Sequence, residues 1–438
     1  MFELIKLGLP VVLGNLGTMV MGMVDILFVG RVNAAAIGAV GVGTSVFAWF
    51  MMFGFGLASG MEFLVSHAHG ARDRERQCRY LIQGLILSFW IAVPFTGAIF
   101  ALSHQLAWFG VNPEVIDGAR KYTQVLSFSL FPVYFFNVLR LFLTAMGQPR
   151  PAMVLLIFGN VVNALLNYVL VLGHWGFPPL GAEGAAWATL VCRVVMMICM
   201  GLYVFSWDRK NGHPIRKFGL KYHADGMRQL WKIGLPASLQ MLFEVGVFAL
   251  ATTLAARLTT DELAAHQVVL NIASLTFMVP LGIGSATAVR VGQAMGRGDQ
   301  KGARIAGWQG YQLGVGFMAF SCLSLLIFSD SILGFFTSDV RVIELGKSIL
   351  FIAALFQLSD GAQTVGTGAL RGFGDTRGPM VFNLLGHWTI GVPVGAGLCF
   401  YWGLGLRGLW IGLSLGLTFV AALVLGQWVL RTREVGRV

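Results

Sequence analysis

The stretch YLIQGLILSFWIAVPFTGAIFAL (80–102) contains no charged side chain. An α-helix needs about 20 consecutive apolar residues to cross the hydrocarbon core of a bilayer, so this stretch predicts a membrane span. Eleven further long stretches are predominantly apolar, which predicts an all-α polytopic membrane protein with twelve transmembrane helices. The twelve spans are predicted near 8–30, 36–66, 80–102, 120–146, 152–174, 184–206, 231–256, 262–290, 304–328, 342–369, 379–401 and 408–430.

The composition agrees with a chain that lies mostly within lipid. Of its 438 residues, 56% are hydrophobic and 12% are charged, whereas soluble chains carry about 25% charged residues. The 57 glycines suit close packing between transmembrane helices. The net charge of +11 comes from short loops, so it is interpreted as a topology signal and no nucleic-acid partner is expected. The five cysteines show neither metal-ligand spacing nor a disulfide framework.

Lys and Arg concentrate in alternate loops. They follow span 2 (Arg72, Arg74), span 6 (Arg216, Lys217) and span 8, and they recur in the tail at Arg437. Because cytoplasmic loops carry the excess of Lys and Arg, both termini and the central loop are predicted to be cytoplasmic.

The sequence repeats itself. KLGLP (6–10) matches KIGLP (232–236), and HAHGARD (67–73) matches QAMGRGD (293–299), both at an offset of 226 residues. This predicts two pseudo-symmetric six-helix bundles, 1–206 and 229–438, joined by a cytoplasmic linker at 207–228. An even number of spans per half makes the repeats parallel, and transporters of this build bind substrate between their halves.

Four acidic residues lie inside predicted spans: Asp25, Glu62, Glu244 and Asp360. A carboxylate at the bilayer centre costs about 3 kcal/mol, so it faces a protein interior or a water-filled cavity and marks an ion or substrate path. Counting about 1.5 Å per residue from the nearest loop places Glu244 and Asp360 near the midplane. Asp25 falls in the outer part of span 1, and Glu62 in the inner part of span 2.

These positions predict ion coupling. A buried carboxylate binds a proton, Na⁺ or an organic cation, but not two of them together, which is the physical basis of antiport. Glu244, Asp360 and Asp25 are the predicted coupling residues. For Asp25 the alternative is a structural carboxylate that fixes helix packing. Glu62 is a weaker candidate for the substrate cavity, because it could reach the cytoplasmic interface.

Polar and aromatic residues in the spans give further candidates for the substrate cavity. In span 5, Asn160, Asn163 and Asn167 share one helix face. They are either interhelical packing contacts or polar partners of Asp25. Gln267 opens span 8 near its outer mouth. Aromatic rings bind organic cations, and the aromatic candidates are Phe243, Phe248 and Phe356, which flank Glu244 and Asp360 in the sequence.

No catalytic motif is present in the sequence. It contains neither a phosphate-binding GxxxxGK[ST] loop nor a metalloprotease HExxH. We therefore expect no enzyme and no cofactor besides the coupling ion.

Several segments resemble the multidrug and toxic compound extrusion (MATE) family, in its NorM-like branch. They are MVDILFVGR (23–31), KIGLPASLQMLFEVGVFAL (232–250), AAHQVVLNIASLTFMVPLGIGSATAVRVGQAMGRGD (264–299) and LSDGAQTVGTGALRGFGDT (358–376). The resemblance implies a MATE-like fold and the export of cationic or amphiphilic compounds against Na⁺ or H⁺ by alternating access. Glu244, Asp360 and Asp25 resemble the family's acidic residues on spans 7, 10 and 1. The resemblance implies that Glu244 and Asp360 together form a cation site, where Na⁺, as the coupling ion, would bind. Some relatives carry a second aspartate on span 5, where this chain has only asparagines.

The leading hypothesis is therefore a cation-coupled multidrug exporter in a bacterial inner membrane, acting as a monomer. Its expected partners are cationic drugs or dyes, the coupling ion and membrane lipids. A second reading is a flippase for lipid-linked precursors, from the wider superfamily. Such a substrate would require basic residues in the cavity, and the intramembrane candidates are only Arg140, Arg193 and Arg290. A passive channel or a membrane-bound enzyme would need a pore ring or a reactive constellation, and neither is visible.

Overall fold

The computed structural model describes residues 1–110, 112–212, 215, 219 and 221–434. Arg216 and Lys217 of the predicted linker and Arg437 of the tail lie outside the described residues. Within the described part the chain is almost entirely helical, with no strand. Eleven helices are long and apolar enough to cross a membrane, and a bent pair supplies a twelfth span. The twelve predicted spans are thereby confirmed.

The first seven helices are α1 (Phe2–Val29), α2 (Ala34–Gly70), α3 (Arg74–Ser103), α4 (Pro113–Ser127), α5 (Leu130–Ala145), α6 (Arg150–Leu170) and α7 (Gly181–Asn211). The remainder are α8 (Ala224–Ala255), α9 (Thr260–Gly296), α10 (Gln300–Ile327), α11 (Ser329–Phe336), α12 (Val340–Gly372), α13 (Arg377–Asn383), α14 (Val392–Ala396) and α15 (Gly405–Glu434). Two π-helical stretches, Leu384–Gly391 and Gly397–Tyr401, join α13 and α14 into one span that ends at Tyr401.

The bent span consists of α4 and α5, which meet at an angle of 43°. Pro132 explains the break. It has no N–H to donate to the carbonyl four residues earlier, at Phe128, and α4 ends at Ser127, immediately before that residue.

The repeat seen in the sequence is also present in the helix boundaries. Helices α2 and α9 both contain 37 residues and end at the matched glycines Gly70 and Gly296. The aspartates of the same motifs then cap the next helices, since Asp73 accepts from Arg76 N and Asp299 accepts from Gly302 N. An N-cap carboxylate satisfies a helix donor that has no partner within the helix.

The described residues form two compact units that exchange the start of their first helices. The first unit is Leu13–Gly234, and the second is Met1–Val12 together with Leu235–Val438. In the second unit, Val12 packs so closely on Gly282 that a methyl group there would collide with it. In the first unit, a methyl group on Gly234 would likewise collide with the Leu57 carbonyl. The boundaries 1–206, 207–228 and 229–438, which follow the sequence repeat, stay a prediction.

A seam of glycines brings α15 against the span that contains α13 and α14. A methyl group on Gly412 would collide with the backbone of Gly395, and one on Gly416 with the carbonyl of Gly386. Small residues allow transmembrane helices to approach to backbone contact, where dispersion and weak hydrogen bonds stabilise the pair.

We predict that Gly412→Ala destabilises the protein by about 1–3 kcal/mol, because the added methyl group overpacks a backbone contact. The control is Gly426→Ala on the same helix, where an added methyl group meets no atom within 4 Å. Thermal unfolding in detergent should show a lower midpoint for the first variant only. Equal midpoints would show that the seam is not tightly packed.

The turn after α12 is held by Asp375. Its carboxylate accepts from Gly378 N at 3.1 Å, from Gln427 Nε2 at 3.2 Å and from Arg431 Nη2 at 3.1 Å. Burial alone would raise the pKa of Asp375, but these donors and the charge of Arg431 outweigh it and hold the pKa below its ordinary value. The ionised form therefore stabilises the folded state.

We expect Asp375→Asn to lower stability at pH 7 by up to about 1 kcal/mol, a small effect because Arg431 is half exposed. The difference from the wild type should be complete above the unfolded pKa, near 4. It should shrink as the pH falls further, towards the folded pKa, because the wild-type carboxylate then also loses its charge. Unfolding midpoints at stepped pH measure this, and a difference that grows on acidification would contradict it.

Candidate functional site

In the first unit, Asp25 on α1 is buried and accepts three hydrogen bonds. Asn163 Nδ2 and Asn167 Nδ2 donate to its Oδ1 at 3.1 and 2.7 Å, and Thr189 Oγ1 donates to its Oδ2 at 2.8 Å. The two asparagines are four residues apart on α6 and so face the same way, while Thr189 comes from α7. The site thus ties three helices together.

Neutral oxygens surround this carboxylate. Asn167 Oδ1 is buried, and no donor among the described residues reaches it. Asn163 Oδ1 accepts from Asn167 Nδ2 at 3.1 Å. A carboxylate together with amide and hydroxyl oxygens is the donor set that hard cations prefer, so the cluster is suited to a cation as well as to a proton.

One positive charge lies near Asp25. The Arg193 guanidinium interacts electrostatically with Asp25, donates to Ser129 Oγ at 2.6 Å and lies 4.9 Å from the centre of the Phe47 ring. Asp25 is therefore stabilised by both neutral donors and a nearby cation.

Asn160 has a different contact. Its Nδ2 donates to the carbonyls of Gly17 and Leu156, each at 2.9 Å. The two alternatives for the asparagine stripe thus apply to different residues: Asn163 and Asn167 contact Asp25, whereas Asn160 joins the backbones of α6 and α1.

Glu62 on α2 is buried, with 3% of its surface exposed, so the structure does not place it at an interface with water. It interacts electrostatically with Arg140 of α5. The Arg140 guanidinium also donates to Asn15 Oδ1 at 3.2 Å and to Asn137 Oδ1 at 2.9 Å. Glu62 and Arg140 are thus the second acid and arginine that interact in the first unit, after Asp25 and Arg193.

In the second unit, the two intramembrane acids interact with each other. Glu244 on α8 is partly buried and Asp360 on α12 is 6% exposed. The two are close enough for a like-charge interaction. Among the described residues, no Lys or Arg forms an ion pair with either one, and no electrostatic interaction with a cation is found at either. Two neighbouring carboxylates repel each other when both are ionised, and a cation bound between or beside them relieves that repulsion.

The three aromatic candidates lie in different surroundings. Phe356 is buried in the apolar core. It packs edge-to-face on Phe248 and on Trp410, with ring centres 6.2 and 6.1 Å apart. Phe243 precedes Glu244, and its carbonyl accepts a hydrogen bond from Trp388 Nε1 at 3.1 Å.

Gln267 is exposed, whereas its neighbour His266 is completely buried. His266 Nδ1 accepts from Trp410 Nε1 at 3.2 Å. Its Nε2 therefore carries the proton and donates to Thr252 Oγ1 at 3.0 Å. This histidine joins three helices of the core.

Sequence reasoning missed Thr189, Asn15, Asn137 and Trp388. A single hydroxyl or amide in an apolar helix gives no periodic pattern, so Thr189, Asn15 and Asn137 carried no signal. The arginines near the acids did carry one, since Arg140 and Arg193 are cations within predicted spans.

Comparison with known proteins agrees with this architecture. A family model described as MatE matches residues 10–169 and again residues 236–396, one match in each repeat. The "Probable multidrug resistance protein NorM" of Brucella suis biovar 1 is 36% identical, with 97% of this chain and 92% of that protein covered. The protein of the same name from Xanthomonas campestris pv. campestris is 37% identical, with 98% and 93% covered.

A solved structure shows the same fold at low sequence identity. It is described as a "MOP superfamily transporter from Pyrococcus furiosus", and it superposes with a TM-score of 0.91 at 21% identity, covering 100% of this chain and 96% of that one. The duplicated MatE match and the full-length NorM relatives show that the chain belongs to the MATE family, in its NorM-like branch.

Proposed function

We propose that the protein is a secondary active exporter of cationic or amphiphilic organic compounds, which it antiports against Na⁺ or H⁺ by alternating access. The observation that carries this proposal is the pair Glu244 and Asp360, two acids without a described cationic partner. Glu244 lies eleven residues from the end of α8, and Asp360 twelve residues from the end of α12. Both are thus about 16–18 Å along a membrane-spanning helix.

The chemistry of antiport follows from this pair. Like charges in a poorly solvated site raise the free energy of the doubly ionised state. A proton, Na⁺ or a cationic substrate each relieves that cost, and binding of one weakens binding of the next. Exchange at the pair therefore couples the entry of an ion to the exit of a drug.

Asp25 is proposed as a second ion site, of different character. Its oxygen-rich surroundings and the uncommitted Asn167 Oδ1 support cation binding there, while Arg193 reduces the need for it. We therefore expect Asp25 to bind its ion less tightly than the second-unit pair and to modulate transport.

The flippase alternative is less well supported. An anionic lipid pyrophosphate needs uncommitted basic groups. Two of the three intramembrane arginines already interact with acids, Arg140 with Glu62 and Arg193 with Asp25. The Pyrococcus furiosus structure has the same fold, and its description says that the "reverse polarity of binding pocket suggests different function". The sign of the interior charge, not the fold, thus separates these readings.

The remaining parts of the proposal concern setting and partners. The chain acts in the cytoplasmic membrane of a bacterium, with both termini on the cytoplasmic side, as the Lys and Arg distribution favours. It functions as a monomer, without a cofactor other than the coupling ion, and it is not an enzyme. The names of its relatives describe multidrug resistance proteins.

We predict that Glu244→Gln reduces ion-driven ethidium transport at least tenfold, because the amide keeps the shape of the side chain but binds no proton and attracts no cation. Proteoliposomes receive a pH jump and a Na⁺ jump separately, which also identifies the coupling ion. The control is Asp117→Asn, which neutralises an exposed acid on α4. Retained coupling in Glu244→Gln, at normal insertion, would contradict the proposal.

Asp25→Asn should give a graded effect. The variant loses the charge and turns an amide towards the Asn163 and Asn167 donors, so we expect the ion concentration for half-maximal transport to rise about tenfold. Thr189→Val removes one neutral hydrogen bond and should shift it about fivefold. Ion titrations of ethidium transport measure both. If Asp25→Asn titrates like the wild type, Asp25 is structural.

A further inference from the structure

The fifth span of each half donates a side-chain hydrogen bond to the backbone of the first span of that half. In the first unit, Asn160 Nδ2 donates to the Gly17 carbonyl at 2.9 Å. In the second unit, Trp388 Nε1 donates to the Phe243 carbonyl at 3.1 Å. Phe243 follows Gly17 by 226 residues, the same offset as the matched KLGLP and KIGLP motifs. The two acceptors therefore occupy the same place in the two repeats.

The acceptor in the second unit belongs to the peptide group that joins Phe243 to Glu244. Its counterpart in the first unit joins Gly17 to Thr18, and Thr18 takes the place of Glu244 at the same offset. In the first half, the contact therefore binds a peptide group whose next residue is the neutral Thr18. In the second half, it binds a peptide group whose next residue is the intramembrane acid Glu244.

The donors do not match at the repeat offset, and the π-helix explains why. In this part of the repeats, MGQPRPAM (146–153) matches FGDTRGPM (373–380) at an offset of 227. At that offset Asn160 corresponds to His387, yet the donor is Trp388. Residues Leu384–Gly391 are π-helical. A π turn bonds residue i to i+5 and holds more residues than an α turn. Each residue then advances the helix by a smaller rotation, and Trp388 reaches the direction that His387 would take in an α-helix.

We infer that Trp388 is a positioning residue for Glu244: its indole N–H fixes the Phe243–Glu244 peptide and thereby the approach of the Glu244 carboxylate to Asp360. This inference rests on the proposed coupling role of Glu244. A carboxylate whose backbone is fixed loses less freedom when it binds an ion, so loss of the bond should weaken ion binding without slowing a saturated transporter.

The test is Trp388→Phe, which keeps an aromatic ring and removes the N–H donor. Ethidium transport in proteoliposomes is titrated with the ion that drives the wild type. We expect the ion concentration for half-maximal transport to rise about three- to tenfold, the effect of losing one neutral hydrogen bond, with the maximal rate unchanged. The matched control is Trp187→Phe on α7, where the indole N–H donates to Glu183 of its own helix, at 3.5 Å. That variant should titrate like the wild type.

The outcomes separate this inference from the proposed function. If Glu244→Gln still couples, the proposed function fails. If Glu244→Gln abolishes coupling but Trp388→Phe titrates like Trp187→Phe, the coupling role stands and the positioning role of Trp388 is wrong. A lower maximal rate at an unchanged half-maximal concentration would also overturn it, because a merely structural tryptophan changes the amount of active protein and not its ion affinity.

Discussion

A carboxylate inside a membrane-spanning helix has to be neutralised, because lipid offers no water to solvate its charge. The chain meets this constraint in two ways. In the first unit, Asp25 receives three neutral hydrogen bonds and has Arg193 nearby, and Glu62 interacts with Arg140. In the second unit, the structure supplies Glu244 and Asp360 with each other and no described cation. A proton or a cation from solution would neutralise that pair, as the proposed antiport requires.

The backbone fold is therefore duplicated, but the positions of the intramembrane acids are not. At the repeat offset of 226, Asp25 corresponds to Ala251 and Glu244 to Thr18; at 227, Asp360 corresponds to Val133. None of the proposed coupling acids has an acidic counterpart in the other half. Parallel repeats supply two equivalent scaffolds, and the acidic residues lie at different positions in each of them.

The sequence was sufficient for the architecture because spans, repeats and helix caps leave local patterns. Long apolar runs gave the spans, and the motifs at Gly70 and Gly296 gave the ends of matched helices. The candidate site could be predicted only in part. Spacing placed the three asparagines on one face, but not which neighbour each would meet, so the different contact of Asn160 needed coordinates. Phe356 lies close to Asp360 in sequence yet packs into the core. The contact of Trp388 depends on a π-helical register, which no hydrophobic period reveals.

The exchange of helix starts makes each unit depend on residues from both halves of the sequence. Gly8 lies against Ala286 in one unit, and Gly234 lies against Gly60 in the other. These are equivalent pairs, since both members are related by 226 residues. Such reciprocity is the defining feature of a domain-swapped dimer, in which identical chains trade the same element. Neither half of the sequence contains every residue of one unit. A six-helix half on its own would therefore lack the helix start that completes the packing of its partner helices.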